Sequence, residues 1–198
     1  VPVYVENSEI RISVPFSEMP RRMMTCPVLP DNLKVEGSFS HDLFVSYKKQ
    51  VDPLLTENDN FFDLYRFAYY GDKGSKEDVV RGIKGMNEMG ERIYKIGVEF
   101  IRQHPDSPVA LFVGQSLNVK AYGREEAKKI AALFPDSLKA TPEGEKTMKA
   151  LLEQPLYVGD VLPDFEVLNT DLQKVRLSEL VKKGHYTLVE LWASWCNP

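Results

Sequence analysis

Apolar side chains return every three or four residues from Val79 through Ile83, Met86, Met89, Ile93 and Ile96 to Phe100. Only an α-helix brings that spacing onto one face. A helix of that length with a continuous apolar stripe must be covered by other elements, so the middle of the chain has to build a helical layer. Both ends of the stripe are marked. Ser75-Lys76-Glu77-Asp78 puts a hydroxyl where the first free N–H groups emerge, with an acid three residues on, as in a capping box. Pro105-Asp106-Ser107-Pro108 stops the helix and starts another: Asp106 or Ser107 caps, Pro108 suits the first turn, and Val109 to Val113 continue inward. Gly82, Gly85, Gly90 and Gly97 lie within the long helix, each costing about 1 kcal/mol relative to alanine. They are expected to let a neighbouring helix or strand approach closely.

The flanking segments carry weaker versions of the same pattern. From His41 to about Glu57 the apolar positions Leu43, Phe44, Tyr47, Val51, Leu54 and Leu55 predict an amphipathic helix. Asn60 to Tyr70 predicts a second, short one, whose aromatic cluster of Phe61, Phe62, Tyr65, Phe67, Tyr69 and Tyr70 is read as core. Gly123 to Phe134 and Thr141 to Glu153 predict two more, each ended by proline. Ahead of the helices, Val1 to Val5 and Ile10 to Val14 alternate as strands around a turn at Glu6-Asn7-Ser8-Glu9. The strands, within about residues 1–37, are expected to belong to an incomplete sheet or sandwich, with its remainder and an export signal ahead of Val1. No fixed period recurs across the helix pairs, which argues against a tetratricopeptide array. The fold class expected is α+β: an accessory domain over residues 1–155, with helices from about 41 to 154, then a second domain from residue 156.

Composition excludes several functions. The 198 residues, 43% hydrophobic, suffice for a core, but a net charge of -4 gives no electrostatic footprint for nucleic acid. No run of about eighteen apolar residues suggests a membrane span. His41, His104 and His185 lack metal-ligand spacing, and Glu57-Asn58-Asp59-Asn60 with Asp63 lacks the glycine and final glutamate of a calcium loop. Gly71-Asp72-Lys73-Gly74-Ser75 has the wrong spacing for a phosphate loop. Neither a metal nor a cofactor is expected. Cys26 follows Arg21, Arg22 and Met23-Met24-Thr25, yet no apolar segment precedes it as in a lipoprotein box, so it reads as a lone loop thiol. A disulfide between Cys26 and Cys196 is disfavoured.

The last residues carry the chemistry. Tyr186 to Trp192 is a β-favouring apolar run fit for a buried central strand, and it leads into Trp192-Ala193-Ser194-Trp195-Cys196-Asn197-Pro198. A strand that delivers a cysteine to a sheet edge and turns into a helix aims free N–H groups and the positive end of the helix dipole at the sulfur, which favours the thiolate. Val189 to Pro198 resembles the thioredoxin-superfamily pattern V-[DE]-F-W-A-x-W-C-x-P-C in its TlpA/ResA-like branch, within the AhpC/TSA-redoxin group. Val158-Gly159-Asp160-Val161-Leu162-Pro163-Asp164-Phe165-Glu166-Val167 is similar to that branch's opening strand, and Leu172 to Leu180 to its hairpin and L-S-[ED]-L helix start. Phe100-Ile101-Arg102-Gln103-His104-Pro105-Asp106-Ser107 also resembles a phrase in the accessory domain ahead of some such domains.

This resemblance implies the start of a thioredoxin-like α/β domain over residues 156–198, cut one residue before the resolving cysteine. It implies a thiol-disulfide oxidoreductase of the periplasm or cell envelope, with Cys196 as nucleophilic thiolate and Glu190 as a proton relay. Trp192, Trp195, Asn197 and Pro198 would surround the sulfur. The implied partners are disulfide-bearing envelope proteins and an upstream thiol reductant, with room for a homodimer and for a lipid anchor in a missing N-terminal part. Lacking the second cysteine, the 198 residues alone are expected to be inactive. Two alternatives stand beside this: a peroxiredoxin-like peroxidase, from whose P-x-x-x-[TS]-x-x-C setting Trp195-Cys196-Asn197-Pro198 departs, and a non-catalytic docking or dimerisation module.

Overall fold

The computed structural model describes residues 3–15, 33–71, 74–153, 156 and 159–190. The chain forms two compact units, Val1–Pro155 and Leu156–Pro198. The described residues are mostly helical, with two small two-stranded antiparallel sheets. Cys26 lies outside them.

The first unit opens with strands β1 (Arg11–Ser13) and β2 (Lys34–Glu36), paired antiparallel with Ile12 opposite Val35. Among the described residues this two-stranded pair is narrower than the expected sheet. Val3, Tyr4 and Val5 form no strand; the Tyr4 ring packs on Phe44 at 5.3 Å and its carbonyl accepts from the Ser38 hydroxyl at 2.8 Å. Alternating apolar residues make a strand only where a neighbour completes the ladder, and here a helix end took Tyr4 instead.

Helix α1 (Phe39–Tyr70) is one continuous element where two shorter ones were expected. The Ser38 hydroxyl caps it, accepting from the His41 N–H at 3.1 Å. Gly37, at φ +84°, makes the turn into the cap, and a Cβ there would strike the Glu9 carbonyl. Pro53 lies inside the helix and supplies no N–H to the carbonyl one turn back. Helix α2 (Lys76–Gln103) runs back along α1 as a long hairpin, capped by Ser75, whose hydroxyl accepts from the Asp78 N–H at 3.1 Å. A Cβ at Gly82 would meet Tyr65 and the Phe61 carbonyl, one at Gly85 the Phe61 ring, and one at Gly97 Leu117 and Val113. These three glycines permit close packing. Gly90 faces open space and permits none.

Helices α3 (Pro108–Ser116), α4 (Arg124–Leu133), α5 (Asp136–Lys139) and α6 (Pro142–Leu152), with a 3₁₀ turn at Val119–Tyr122, close the core against the open end of the hairpin. Ser107 and Thr141 cap α3 and α6. Phe44, Tyr47 and Val51 of α1 and Tyr94, Val98 and Ile101 of α2 share that core with Val109, Val113, Ile130, Phe134 and Leu151. Buried Thr147 ties its layers, accepting from the Gln115 amide at 2.8 Å and donating to the Glu143 carbonyl at 2.7 Å. The aromatic cluster of α1 departs from expectation: Phe62, Phe67, Tyr69 and Tyr70 are exposed, because the core ends before they begin.

The second unit holds β3 (Glu166–Leu168) and β4 (Lys174–Arg176), paired antiparallel, then the single turn α7 (Leu177–Leu180). The Asn169 side chain makes the bend between the strands, accepting from the N–H groups of Asp171 and Gln173 at 2.9 Å each. No thioredoxin-like sheet is evident among the described residues. Tyr186 to Glu190 are not in a strand, and Tyr186 and Leu188 are almost wholly exposed. A central strand needs a ladder on each side, and neither β3 nor β4 pairs with this segment.

Candidate functional site

The second unit brings together two of the segments on which the family resemblance rests. Asp164, just ahead of β3, accepts from the Ser178 N–H at 2.9 Å and the Ser178 hydroxyl at 3.0 Å, and pairs with the Arg176 guanidinium at 3.1 Å. Its carboxylate thereby occupies the exposed N-terminal turn of α7. The Ser178 N–H, then its hydroxyl and Arg176, hold the Asp164 carboxyl below the usual carboxylate range despite some desolvation. The neighbouring Leu177 N–H donates to the Phe165 carbonyl at 3.0 Å, and Glu179 reaches back to the Arg176 N–H at 3.2 Å. The Pro163-Asp164-Phe165 stretch and the Leu177-Ser178-Glu179-Leu180 turn are thus one hydrogen-bonded joint. Each was legible in the sequence; the clasp between them carries no local signal, because its partners are 14 residues apart.

Beside this joint lies a hollow of about 410 Å³, walled by Leu162, Leu177, Val181, Tyr186 and Val189 among others. Asp164, Ser178, His185 and Thr187 add polar groups to its wall. Glu190 is exposed, with no hydrogen-bonding partner among the described residues. Trp192, Trp195, Cys196, Asn197 and Pro198 lie outside the described residues.

The first unit holds polar groups that the periodicity reading missed. Glu6 covers the N-terminus of α1: it accepts from the Phe39 N–H and from the Ser40 hydroxyl at 2.7 Å. The Ser40 hydroxyl first, then the helix N–H groups, hold its carboxyl below the ordinary range. His41 is buried beside Phe44, with Nδ1 lacking a hydrogen-bond partner. Across the core, Tyr94 stacks on Tyr122 at 3.8 Å and donates to Glu126 at 3.3 Å. Burial, reinforced by the Glu126 carboxylate, raises the Tyr94 phenol well above its usual range. Among the described residues, no three His, Cys, Asp or Glu side chains are grouped to hold a metal ion. No helix among them is long and apolar enough to cross a membrane.

No family model, curated protein or solved structure matches the chain.

Proposed function

We propose that residues 156–198 open a thioredoxin-type dithiol oxidoreductase domain of the TlpA/ResA-like kind, within a cell-envelope protein whose residues 1–155 are an accessory domain. The observation that carries this reading is the ordered set of Pro163-Asp164-Phe165, Leu177-Ser178-Glu179-Leu180 and Trp192-Ala193-Ser194-Trp195-Cys196-Asn197-Pro198. The Asp164 clasp supports it by making one joint of the first two.

In this mechanism the Cys196 thiolate attacks one sulfur of a substrate disulfide. A mixed disulfide forms and the other substrate sulfur leaves as a thiolate, which takes up a proton, with Glu190 assisting. The resolving thiol that the family resemblance implies after Pro198 then attacks the Cys196 sulfur. The substrate leaves fully reduced, and the enzyme is left with a C-x-x-C disulfide that an upstream thiol reductant restores. Trp192, Trp195, Asn197 and Pro198 shape the surroundings of the sulfur.

The test is dithiothreitol-coupled reduction of insulin disulfides by the full-length natural polypeptide and by its Cys196→Ser variant. Turnover that vanishes in the variant supports the reading. Undiminished turnover in the variant sinks it, and rapid stoichiometric peroxide consumption at Cys196 would assign a peroxidase instead.

A further inference from the structure

The apolar face of the α1–α2 hairpin is covered over only part of its length. Toward the open end, Phe44 meets Phe112 of α3 edge-on at 5.4 Å, Tyr94 stacks on Tyr122, and Gly97 lies against Val113 and Leu117. The same rows continue toward the closed end with none of the described residues packed over them. On α1, Phe44, Val51, Leu55, Phe62 and Tyr69 follow one another at spacings of seven or four, which keeps them on one side of the helix. Phe44 and Val51 are buried, but Leu55, Phe62 and Tyr69 are 45%, 46% and 61% exposed. On α2, Val80 and Asn87 precede Tyr94 and Ile101 at seven-residue steps, and Val80 and Ile83 are 50% and 42% exposed.

From this half-covered face we infer that two copies of the chain pair through the closed halves of their hairpins. Each copy carries α3 to α6 on the other half of the same face, so the open halves meet without collision only if the hairpins point in opposite directions about a two-fold axis. The charges on α1 fit that axis. Asp59 and Arg66 lie seven residues apart, flank Phe62 and share its side of the helix. An antiparallel two-fold pairing centred at Phe62 and Asp63 sets Asp59 of each copy against Arg66 of the other and brings the Phe62 rings together. Asp59 has no ion-pair partner among the described residues, and Arg66 makes an exposed contact with Asp63, three residues away on the same helix, at 3.3 Å, while its guanidinium lies 6.0 Å from the centroid of the Phe62 ring.

The area is adequate. Some fifteen residues of each helix span about 22 Å, and two helices side by side are about 20 Å wide. A corrugated face of that footprint offers on the order of 600–700 Å² per copy, close to the roughly 800 Å² per partner of a standard specific interface. The product is an antiparallel four-helix bundle of two stacked hairpins that buries Leu55, Phe62, Tyr69, Val80 and Ile83 of both copies. It is independent of the redox reading.

Sedimentation equilibrium of the chain in excess thiol reductant tests this, since the reductant prevents cysteine cross-links from imitating a dimer. The expected result is a reversible dimer dissociating in the micromolar range, weakened about tenfold or more by Asp59→Arg, which sets arginines against one another. The double variant Asp59→Arg with Arg66→Asp restores affinity to within about threefold, because the crossed pairs re-form with reversed sign. Phe62→Glu abolishes the dimer, with circular dichroism confirming that the helices persist. A wild-type chain still monomeric at about 100 μM overturns the proposal and leaves the face to a different partner. So does a double variant no tighter than Asp59→Arg alone, which remains informative even if Phe62→Glu loses helicity.

Discussion

Gly90 and Gly82 lie in the same helix and predict opposite responses to the same substitution. Both occupy the interior of α2, where replacing glycine by alanine removes an entropic cost of about 1 kcal/mol. At Gly90 a Cβ meets nothing within 4 Å, so the full gain remains. At Gly82 the Cβ lies 2.8 Å from the Tyr65 Cβ and 3.0 Å from the Phe61 carbonyl. Neither atom can swing aside on a side-chain torsion, so the two helices must separate, and overpacking of this kind costs about 1–3 kcal/mol. Gly90→Ala should therefore stabilise by about 1 kcal/mol, or about 2–4 °C in Tm for a unit of this size, while Gly82→Ala is neutral at best and lowers Tm by several degrees at worst. Urea and thermal unfolding followed by far-UV circular dichroism at low protein concentration would show it. Equal stabilisation by both substitutions would refute the account of how α1 and α2 pack, and a destabilised Gly90→Ala would refute the open space at that position.

Three further outcomes follow from the polar groups. Thr147→Val keeps the shape of the side chain but strands the Gln115 amide at the α3–α6 contact, and should cost about 1–3 kcal/mol in urea unfolding, whereas Thr147→Ser should cost less. Tyr94 has a folded pKa raised above its unfolded value near 10, so its stabilising contribution is complete below about pH 10 and is lost as pH rises through the folded value. Tyr94→Phe should flatten the alkaline limb of the stability curve relative to wild type. Glu6 has the opposite sign: its carboxyl is depressed, so its contribution is present above the ordinary carboxylate range and fades as pH falls through the folded value. In Glu6→Gln the amide resonances of Phe39 and Ser40 should lose the acid titration that wild type shows by NMR.

Local signals recovered what local physics decides. Ser75, and Ser107 of the Asp106-or-Ser107 pair, start helices where a hydroxyl beside free N–H groups predicts them, and the three- and four-residue stripe of α2 runs as read. The misreadings arose where a distant contact decides. Val3 to Val5 alternate like a strand, yet the end of α1 draws Tyr4 onto Phe44. The aromatic residues of α1 have core composition, but no sequence window shows that α3 to α6 are too short to reach them. The apolar pattern predicts two helices, one to about Glu57 and one from Asn60, while the hairpin with α2 carries α1 straight through. At the candidate site the Pro163-Asp164-Phe165 and Leu177-to-Leu180 segments are legible in the sequence, and the Asp164 clasp between them is not, since an aspartate before a strand has no local reason to prefer a serine 14 residues later.

Pro53 gives α1 an internal seam. It removes one N–H from the ladder at the level where Val51 and Leu54 are still buried and Leu55 is already exposed. The weakest rung of the helix therefore coincides with the edge of the core. Amide exchange should find two protection regimes within one helix: residues before the proline exchanging only through global unfolding, and residues after it through opening of the hairpin's closed end while the base stays intact. A single rod in the structure would then behave as two cooperative segments, and pairing with a second copy would raise protection in the outer one alone.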